Sequence, residues 1–198
     1  MNWQAECDRM ISQHEGKRLL LHACCAPCAS ASLEYLTRHF ETDLFFYNPN
    51  IYPENEFEAR LSELKRFAAE YPFSRAPEVF SARFVPEEFY SAVKGLEKEP
   101  ERGERCRLCF ALRLDAAAAF ASEQGYDLFA TTLTISPLKS PDDINLAGLE
   151  AGERRKIAYL PTDLKKKGRF LRSTELSEEY HLYRQNYCGC VFSANGRK

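Results

Sequence analysis

Residues 19–30 read "LLLHACCAPCAS", where Cys24, Cys25 and Cys28 closely follow a run of leucines. A continuous apolar run of this length is typical of a strand that is covered on both faces. In open α/β sheets, ligands bind beyond the carboxyl ends of the strands, and the positive N-terminus of the next helix lowers the pKa of a thiol there. The sequence therefore places thiols where dinucleotide-binding folds carry glycines.

Further strand-length apolar runs alternate with helical patterns along the chain. Strands are predicted at residues 18–22, 44–47, 128–132 and 157–160, and apolar residues repeat at helical spacing over 57–71 and 108–120. Strands that alternate with helices imply right-handed crossovers and a mostly parallel sheet. We therefore predict a Rossmann-like three-layer α/β sandwich that forms a single domain over residues 1–198, with an irregular, charged, cysteine-containing segment after Pro161.

Composition limits the class of protein. The chain has 198 residues, 44% hydrophobic and 28% charged, so one domain can bury a full core. Its formal charge of −2 gives no global attraction to polyanions, so any contact with nucleic acid requires a local patch. The polar opening residues and the absence of a long apolar run predict a soluble, cytoplasmic protein without membrane contact. Eight cysteines in a reducing compartment favour metal binding or redox chemistry over structural disulfides.

Seven of the cysteines fall into three groups, whereas Cys7 stands alone as a small buried hydrophobe. Cys106 and Cys109 lie three apart at a predicted helix start, and Gly189 allows an unusual backbone between Cys188 and Cys190. That last pair could bind a metal or close to a strained, reducible disulfide. A four-iron cluster or a structural zinc takes four thiolates. The three that remain suit a second site with an open position or a thiol pair that relays electrons.

Five blocks of sequence resemble the metal-dependent epoxyqueuosine reductases called the QueH family. They are "LLLHACCAPC", "FFYNPNIYPENEFEAR", "GERCRLCFALRL", "TTLTISPLKS" and "YRQNYCGCVFS", and they follow the family's order between residues 19 and 193. The resemblance implies a two-electron reduction of the epoxide of epoxyqueuosine in tRNA to give queuosine. It also implies a 4Fe-4S cluster beside a second iron, a tRNA with epoxyqueuosine in its anticodon as partner, and an unidentified low-potential electron donor.

Carried over by position, the resemblance implies a division of the thiols. Cys24, Cys25, Cys106 and Cys109 are the implied cluster ligands, and Cys28, Cys188 and Cys190 are the implied ligands of the second metal. Cys188 and Cys190 are also the implied catalytic residues, either at that metal or as a redox disulfide. In an extended backbone Cys24 and Cys25 point in opposite directions, so one could serve each centre, with Cys188 completing the cluster.

Two other functions compete with this reductase. A zinc-stabilised nucleic-acid-binding protein without catalysis would also need grouped cysteines. A tRNA sulfur-transfer enzyme would need a nucleotide-binding loop after the first strand, where this chain has "CCAPC". The dense basic run at residues 165–172 could contact phosphate or be a solvated face, and the asparagines at 48 and 50 could bind a nucleoside or form a turn. His22 is expected to be a hydrogen-bonded core histidine.

Overall fold

The computed structural model describes residues 1–195. The strands are β1 (Arg18–His22), β2 (Glu41–Phe46), β3 (Val79–Ser81), β4 (Leu128–Thr131) and β5 (Ala158–Tyr159). The α-helices are α1 (Trp3–His14), α2 (Ala26–Leu36), α3 (Glu54–Glu70), α4 (Pro86–Ala92), α5 (Glu104–Glu123), α6 (Pro141–Arg155), α7 (Arg169–Glu179) and α8 (Val191–Asn195). A single 3-10 turn, Thr132–Ile135, follows β4 directly.

The five strands form one sheet in the order β3-β2-β1-β4-β5, and every neighbouring pair is parallel. The chain moves outward from β1 to β2 and β3, and then returns to the other side of β1 to form β4 and β5. This reversal creates a switch point between β1 and β4, where the loops that follow the two strands diverge. Such a crevice is the usual ligand site in open parallel sheets.

Helices cover both faces of the sheet, which confirms the predicted three-layer α/β architecture. Leu19 and Leu21 of β1 point into one core with α1, α2 and α3, whereas Leu20 points into the opposite core with α5 and α6. All three leucines are fully buried. Because successive side chains of a strand point to opposite faces, a buried strand between two helical layers must be apolar at every position.

The sequence patterns do not predict strand β3 or helices α1, α4, α6, α7 and α8. Strand β3 has only three residues at the sheet edge and is not fully buried, so no apolar run announces it. Helix α7 lies inside the segment that the sequence predicts to be irregular, and it buries Ser173 and Ser177 beside Leu176. The stretch from Tyr180 to Cys190 contains no helix or strand.

The single-domain prediction stays a prediction, and its residues 196–198 lie outside the described residues. Among residues 1–195, no helix combines the length and the apolar character needed to cross a membrane.

Candidate metal centre and active site

Three thiols meet in the loop that joins β1 to α2. The ligand atoms of Cys24, Cys25 and Cys28 all lie within 4.8 Å of one another, and the Sγ atoms of Cys24 and Cys25 are 3.8 Å apart. Cys25 is the extended N-cap residue of α2, and a proline in the first turn fixes the helix start. The backbone N–H of Cys24 donates to Thr132 Oγ1 at 3.4 Å, which ties the loop to the end of β4. We call these three cysteines the thiol triad.

The pKa values of the three triad thiols shift in different directions. Hydrogen bonds from Cys25 and then Cys28 hold the pKa of the Cys24 thiol well below its usual range. Those same contacts with Cys24, together with burial, raise the pKa values of the Cys25 and Cys28 thiols. The three sulfurs are therefore electrostatically coupled, and all three are ligands of the type that soft metal ions select.

A second set of thiols lines a separate small cavity of about 30 Å³. Cys106 and Cys109 come from the first turns of α5, and Cys188 and Cys190 come from the segment before α8. Cys109 and Cys190 are buried in one apolar cluster with Phe89. Burial raises the pKa of the Cys109 thiol to about 12 and also raises the pKa values of Cys106 and Cys190. We call Cys106, Cys109, Cys188 and Cys190 the thiol quartet.

The C-terminal segment reaches the site because it docks on the loop that follows β2. Gly189 accepts a hydrogen bond from the Tyr52 backbone N–H at 2.8 Å, and the Tyr187 hydroxyl donates to the Tyr52 carbonyl at 2.8 Å. Gly189 has φ +119°, which confirms the unusual backbone predicted at this position. A Cβ added there would lie 3.0 Å from Nη1 of Arg60. The glycine therefore permits both the backbone angle and the close approach of the buried arginine.

A larger, open cavity of about 310 Å³ lies over the thiol triad. The triad and Cys188 line it from the sheet side, and Leu138 and Phe170 form an exposed apolar rim. Cys188 lines both this cavity and the small cavity of the thiol quartet. The size is at the lower end of the range for small-molecule sites. The cavity therefore has thiols at its floor and apolar groups at its mouth, which suits a ligand with a flat apolar part.

Two buried arginines supply positive charge to the site. Arg113 lines the open cavity, and its Nη2 donates to Asn48 Oδ1 at 2.5 Å while Nε has no partner among the described residues. Arg60 is held by Glu56 at 2.7 Å, and its Nη2 is likewise unpartnered in residues 1–195. Burial disfavours the charged form of Arg60, but the charges of Cys25 and Glu56 raise its pKa. Unpartnered buried donors beside thiols indicate a site that is built around negative charge.

Comparison with known proteins identifies the family. The family described as epoxyqueuosine reductase QueH matches residues 19–196. A curated relative from Streptococcus pyogenes serotype M1, named epoxyqueuosine reductase QueH, is 44% identical over 89% of this chain and 70% of its own length. The chain belongs to the QueH family. A relative of the same name from Staphylococcus epidermidis is 39% identical over 98% of this chain and 85% of its own length.

The U34-tRNA thiolase NcsA from Methanococcus maripaludis with its [4Fe-4S] cluster aligns with a TM-score of 0.49 and 12% sequence identity. The alignment covers 96% of this chain and 70% of that one.

The structure brings the seven predicted site cysteines of this QueH-family chain to one edge of the sheet, where they line two neighbouring cavities. Which of them bind the cluster and which the second metal stays a prediction. All eight cysteines are free thiols. The redox disulfide between Cys188 and Cys190 therefore also stays a prediction.

Other residues singled out by the sequence have structural roles. His22 is buried, and its Nε2–H donates to the Tyr47 carbonyl at 3.1 Å while Nδ1 accepts from Thr131 at 2.9 Å. Burial and the Arg113 charge lower the pKa of His22 to about 3, so the ring is neutral. Asn48 links Arg113 to the Ala23 carbonyl.

Four of the five basic side chains at residues 165–172 form ion pairs within the chain. Lys165 and Lys166 pair with Asp163, and Lys167 pairs with Asp8. Arg172 pairs with Glu34 at 2.7 Å. These ion pairs favour a role for the run in the fold over a free phosphate-binding edge.

Sequence reasoning missed three polar residues of the site: Arg60, Arg113 and Lys139. Arg113 lies four residues after Cys109 on α5, so helical spacing alone places both on one face of the helix. Arg60 and Lys139 reach the cysteines only through the tertiary fold. Both nevertheless lie inside blocks that resemble the QueH family, Arg60 in "FFYNPNIYPENEFEAR" and Lys139 in "TTLTISPLKS", and that membership is the signal that could have found them.

Proposed function

We propose that this chain reduces the epoxide of epoxyqueuosine in tRNA to give queuosine. The observation that carries the proposal is the convergence of seven thiols and two buried arginines at the carboxyl ends of β1 and β4, next to an open cavity. The reaction adds two electrons and two protons, converts the epoxide to an alkene and releases the oxygen as water. Redox-active metal held by thiolates can supply the electrons and the Lewis acid for such a reaction.

We further propose that the thiols hold an iron–sulfur cluster and a second iron. Two sulfurs bound at about 2.3 Å to one tetrahedral ion lie roughly 3.8 Å apart. The Cys24 and Cys25 Sγ atoms have this separation in the structure, at 3.8 Å. Ligands of a four-iron cluster bind different metal atoms and are spread more widely. The thiol triad therefore fits a single ion with one open position, and the thiol quartet supplies the four ligands that a cluster needs.

This geometric division differs from the one that the sequence implies. The sequence joins Cys24 and Cys25 to Cys106 and Cys109, whereas the compactness of the triad separates them. In both divisions Cys188 is a metal ligand next to the substrate, since it lines both cavities. A redox disulfide between Cys188 and Cys190 remains an alternative source of the electron pair.

The residues of the open cavity bind and orient the nucleoside. When bound, the metal centres supply single electrons and a Lewis acid for the epoxide oxygen. The apolar rim of Leu138 and Phe170 offers contact area to a nucleobase, which stacks readily on aromatic and apolar surfaces. Arg113 holds positive charge beside the thiols and keeps its place through Asn48.

The partners follow from this reaction. The substrate is tRNA with epoxyqueuosine in its anticodon, and the electrons come from a low-potential donor. A free thiol site of this kind suits the reducing cytoplasm, where we place the protein.

Conversion of substrate tRNA tests the proposal directly. The protein is purified anaerobically, given a low-potential chemical reductant and incubated with tRNA that carries epoxyqueuosine. Mass spectrometry of the digested tRNA should show loss of one oxygen from that nucleoside. Cys7→Ala should convert the tRNA as the parent protein does, because Cys7 is buried in the core and lines neither cavity. No conversion by the iron-loaded protein would overturn the proposal.

A further inference from the structure

Lys139 occupies an unusual place between the two thiol groups. It lies in the short loop between the 3-10 turn after β4 and helix α6, and it lines both the open cavity and the small cavity. The residue is half-buried. Within residues 1–195 its ammonium group makes no hydrogen bond and no ion pair, whereas Lys165, Lys166 and Lys167 each pair with an aspartate. Its donors are therefore available to a molecule in the cavity.

The surroundings of Lys139 keep it charged. Cys24, Cys28 and Cys188 line the open cavity together with Lys139, and a thiolate beside an ammonium group favours its charged form. Those are thiols of both the triad and the quartet. A half-buried cation at this point attracts negative charge that develops over the cavity floor.

The proposed reaction creates negative charge at one atom, the epoxide oxygen, as its bonds to carbon break. A donor that meets this oxygen stabilises the transition state more than the ground state. Arg113 is less suited, because Nη2 already donates to Asn48 and the side chain is buried. Arg184 also lines the open cavity, but its Nη1 donates to the Ser173 carbonyl and to Ser177 Oγ, whereas the Lys139 ammonium makes no hydrogen bond within residues 1–195.

We propose that Lys139 is a catalytic residue that donates a hydrogen bond to the epoxide oxygen of the bound nucleoside. This role rests on the proposed function and adds a specific contact to it. Two electrons from the low-potential donor are taken up as both carbon–oxygen bonds break and the carbon–carbon double bond forms. The oxygen accepts two protons from solvent and leaves as water. Throughout, the Lys139 ammonium remains protonated and stabilises the charge on the departing oxygen.

The test compares Lys139→Met, Lys139→Arg and Lys17→Met. Lys17 is an exposed lysine that pairs with Asp127 at the opposite end of the sheet, so its replacement controls for loss of one positive charge. Each variant is purified anaerobically, and its iron and acid-labile sulfide are measured. Single-turnover conversion is then followed with excess enzyme and an anticodon stem-loop that carries epoxyqueuosine. Binding of the same stem-loop is measured without reductant.

The expected pattern is specific to a contact with the reacting oxygen. Lys139→Met should retain iron and sulfide and convert the stem-loop about 10²–10³-fold more slowly, the usual effect of removing one donor to a developing oxyanion. Its binding of the stem-loop should weaken by about tenfold or less, since a single hydrogen bond is lost in the ground state. Lys139→Arg should recover part of the rate, and Lys17→Met should match the parent protein.

Two outcomes overturn the role of Lys139. Parent-like conversion by an iron-loaded Lys139→Met protein shows that no such contact is needed. Loss of iron in proportion to loss of conversion shows that Lys139 balances thiolate charge and does not act on the substrate. A parent protein that holds iron and sulfide but converts nothing overturns the proposed function itself, and the contact with it.

Discussion

Replacement of Cys190 by serine distinguishes the two divisions of the thiols. If the thiol quartet binds the cluster, Cys190→Ser removes one of four cluster ligands. Iron should then fall from about five to about one per chain, and acid-labile sulfide from about four to near zero. If Cys190 instead binds only the second metal, as the sequence implies, the variant should keep its sulfide and the visible absorption of the cluster.

The structural cost of this substitution must be separated from the loss of metal. Cys190 is 8% exposed and packs in a cluster with Phe89 and Val93, so serine places a hydroxyl in an apolar site. That change costs about 1–3 kcal/mol of unfolding free energy. It corresponds to roughly 2–4 °C in melting temperature per kcal/mol for a chain of this size. Cys7→Ser is the matched control, because Cys7 is 1% exposed in the other core and pays a similar burial cost without touching the site.

A third variant completes the experiment. Cys28→Ser should lose about one iron and keep its sulfide, because Cys28 belongs to the compact triad. The assay is iron and sulfide analysis with electron paramagnetic resonance of the reduced protein. Full sulfide in Cys190→Ser would refute the geometric division, and loss of sulfide in Cys28→Ser would do so independently.

Two further predictions concern the backbone and the core. Gly189→Ala should lower both the iron content and the melting temperature. The backbone angle φ of +119° and a Cβ 3.0 Å from Arg60 would force the docked segment away from Tyr52. Unchanged iron content would show that this docking is not needed. Burial raises the pKa of Cys7 to about 11 from 9.0, so the fold favours its neutral thiol. The resulting stability is complete below pH 9 and should fall by about 2–3 kcal/mol as pH rises to 11, measured by urea unfolding. Cys7→Ala should remove that part of the pH dependence.

The sequence predicts strands and helices correctly where their residues carry a clear hydrophobic pattern. The continuous apolar run of β1 and the helical spacing of α5 both mark buried elements, and both appear in the structure. The edge strand β3 escaped because three half-exposed residues carry no periodic signal. Helix α7 escaped because it buries serines, whose hydroxyls bond back to carbonyls of the same helix. Neither failure disturbs the topology, because strand alternation alone predicts the parallel sheet.

The candidate site likewise has one part that the sequence predicts and another that it does not. The triad follows from sequence, because Cys24, Cys25 and Cys28 straddle a strand end and the first turn of a helix. The partners of Cys188 and Cys190 do not, because they depend on where an irregular segment docks. The docking position is set by hydrogen bonds of Tyr187 and Gly189 with Tyr52, which lies more than 130 residues earlier in the chain.

The charge balance of the site indicates the state for which the fold is built. Arg113 is 2% exposed and pairs with no carboxylate in residues 1–195, and a buried cation without a counter-charge is strongly destabilising. Its positive charge favours the ionised forms of Cys24 of the triad and Cys109 of the quartet. Protonated thiols offer Arg113 no compensation, whereas metal-bound thiolates do. A fold that buries this guanidinium between two thiol groups is therefore most stable when those thiols are deprotonated, which is the condition that metal binding imposes.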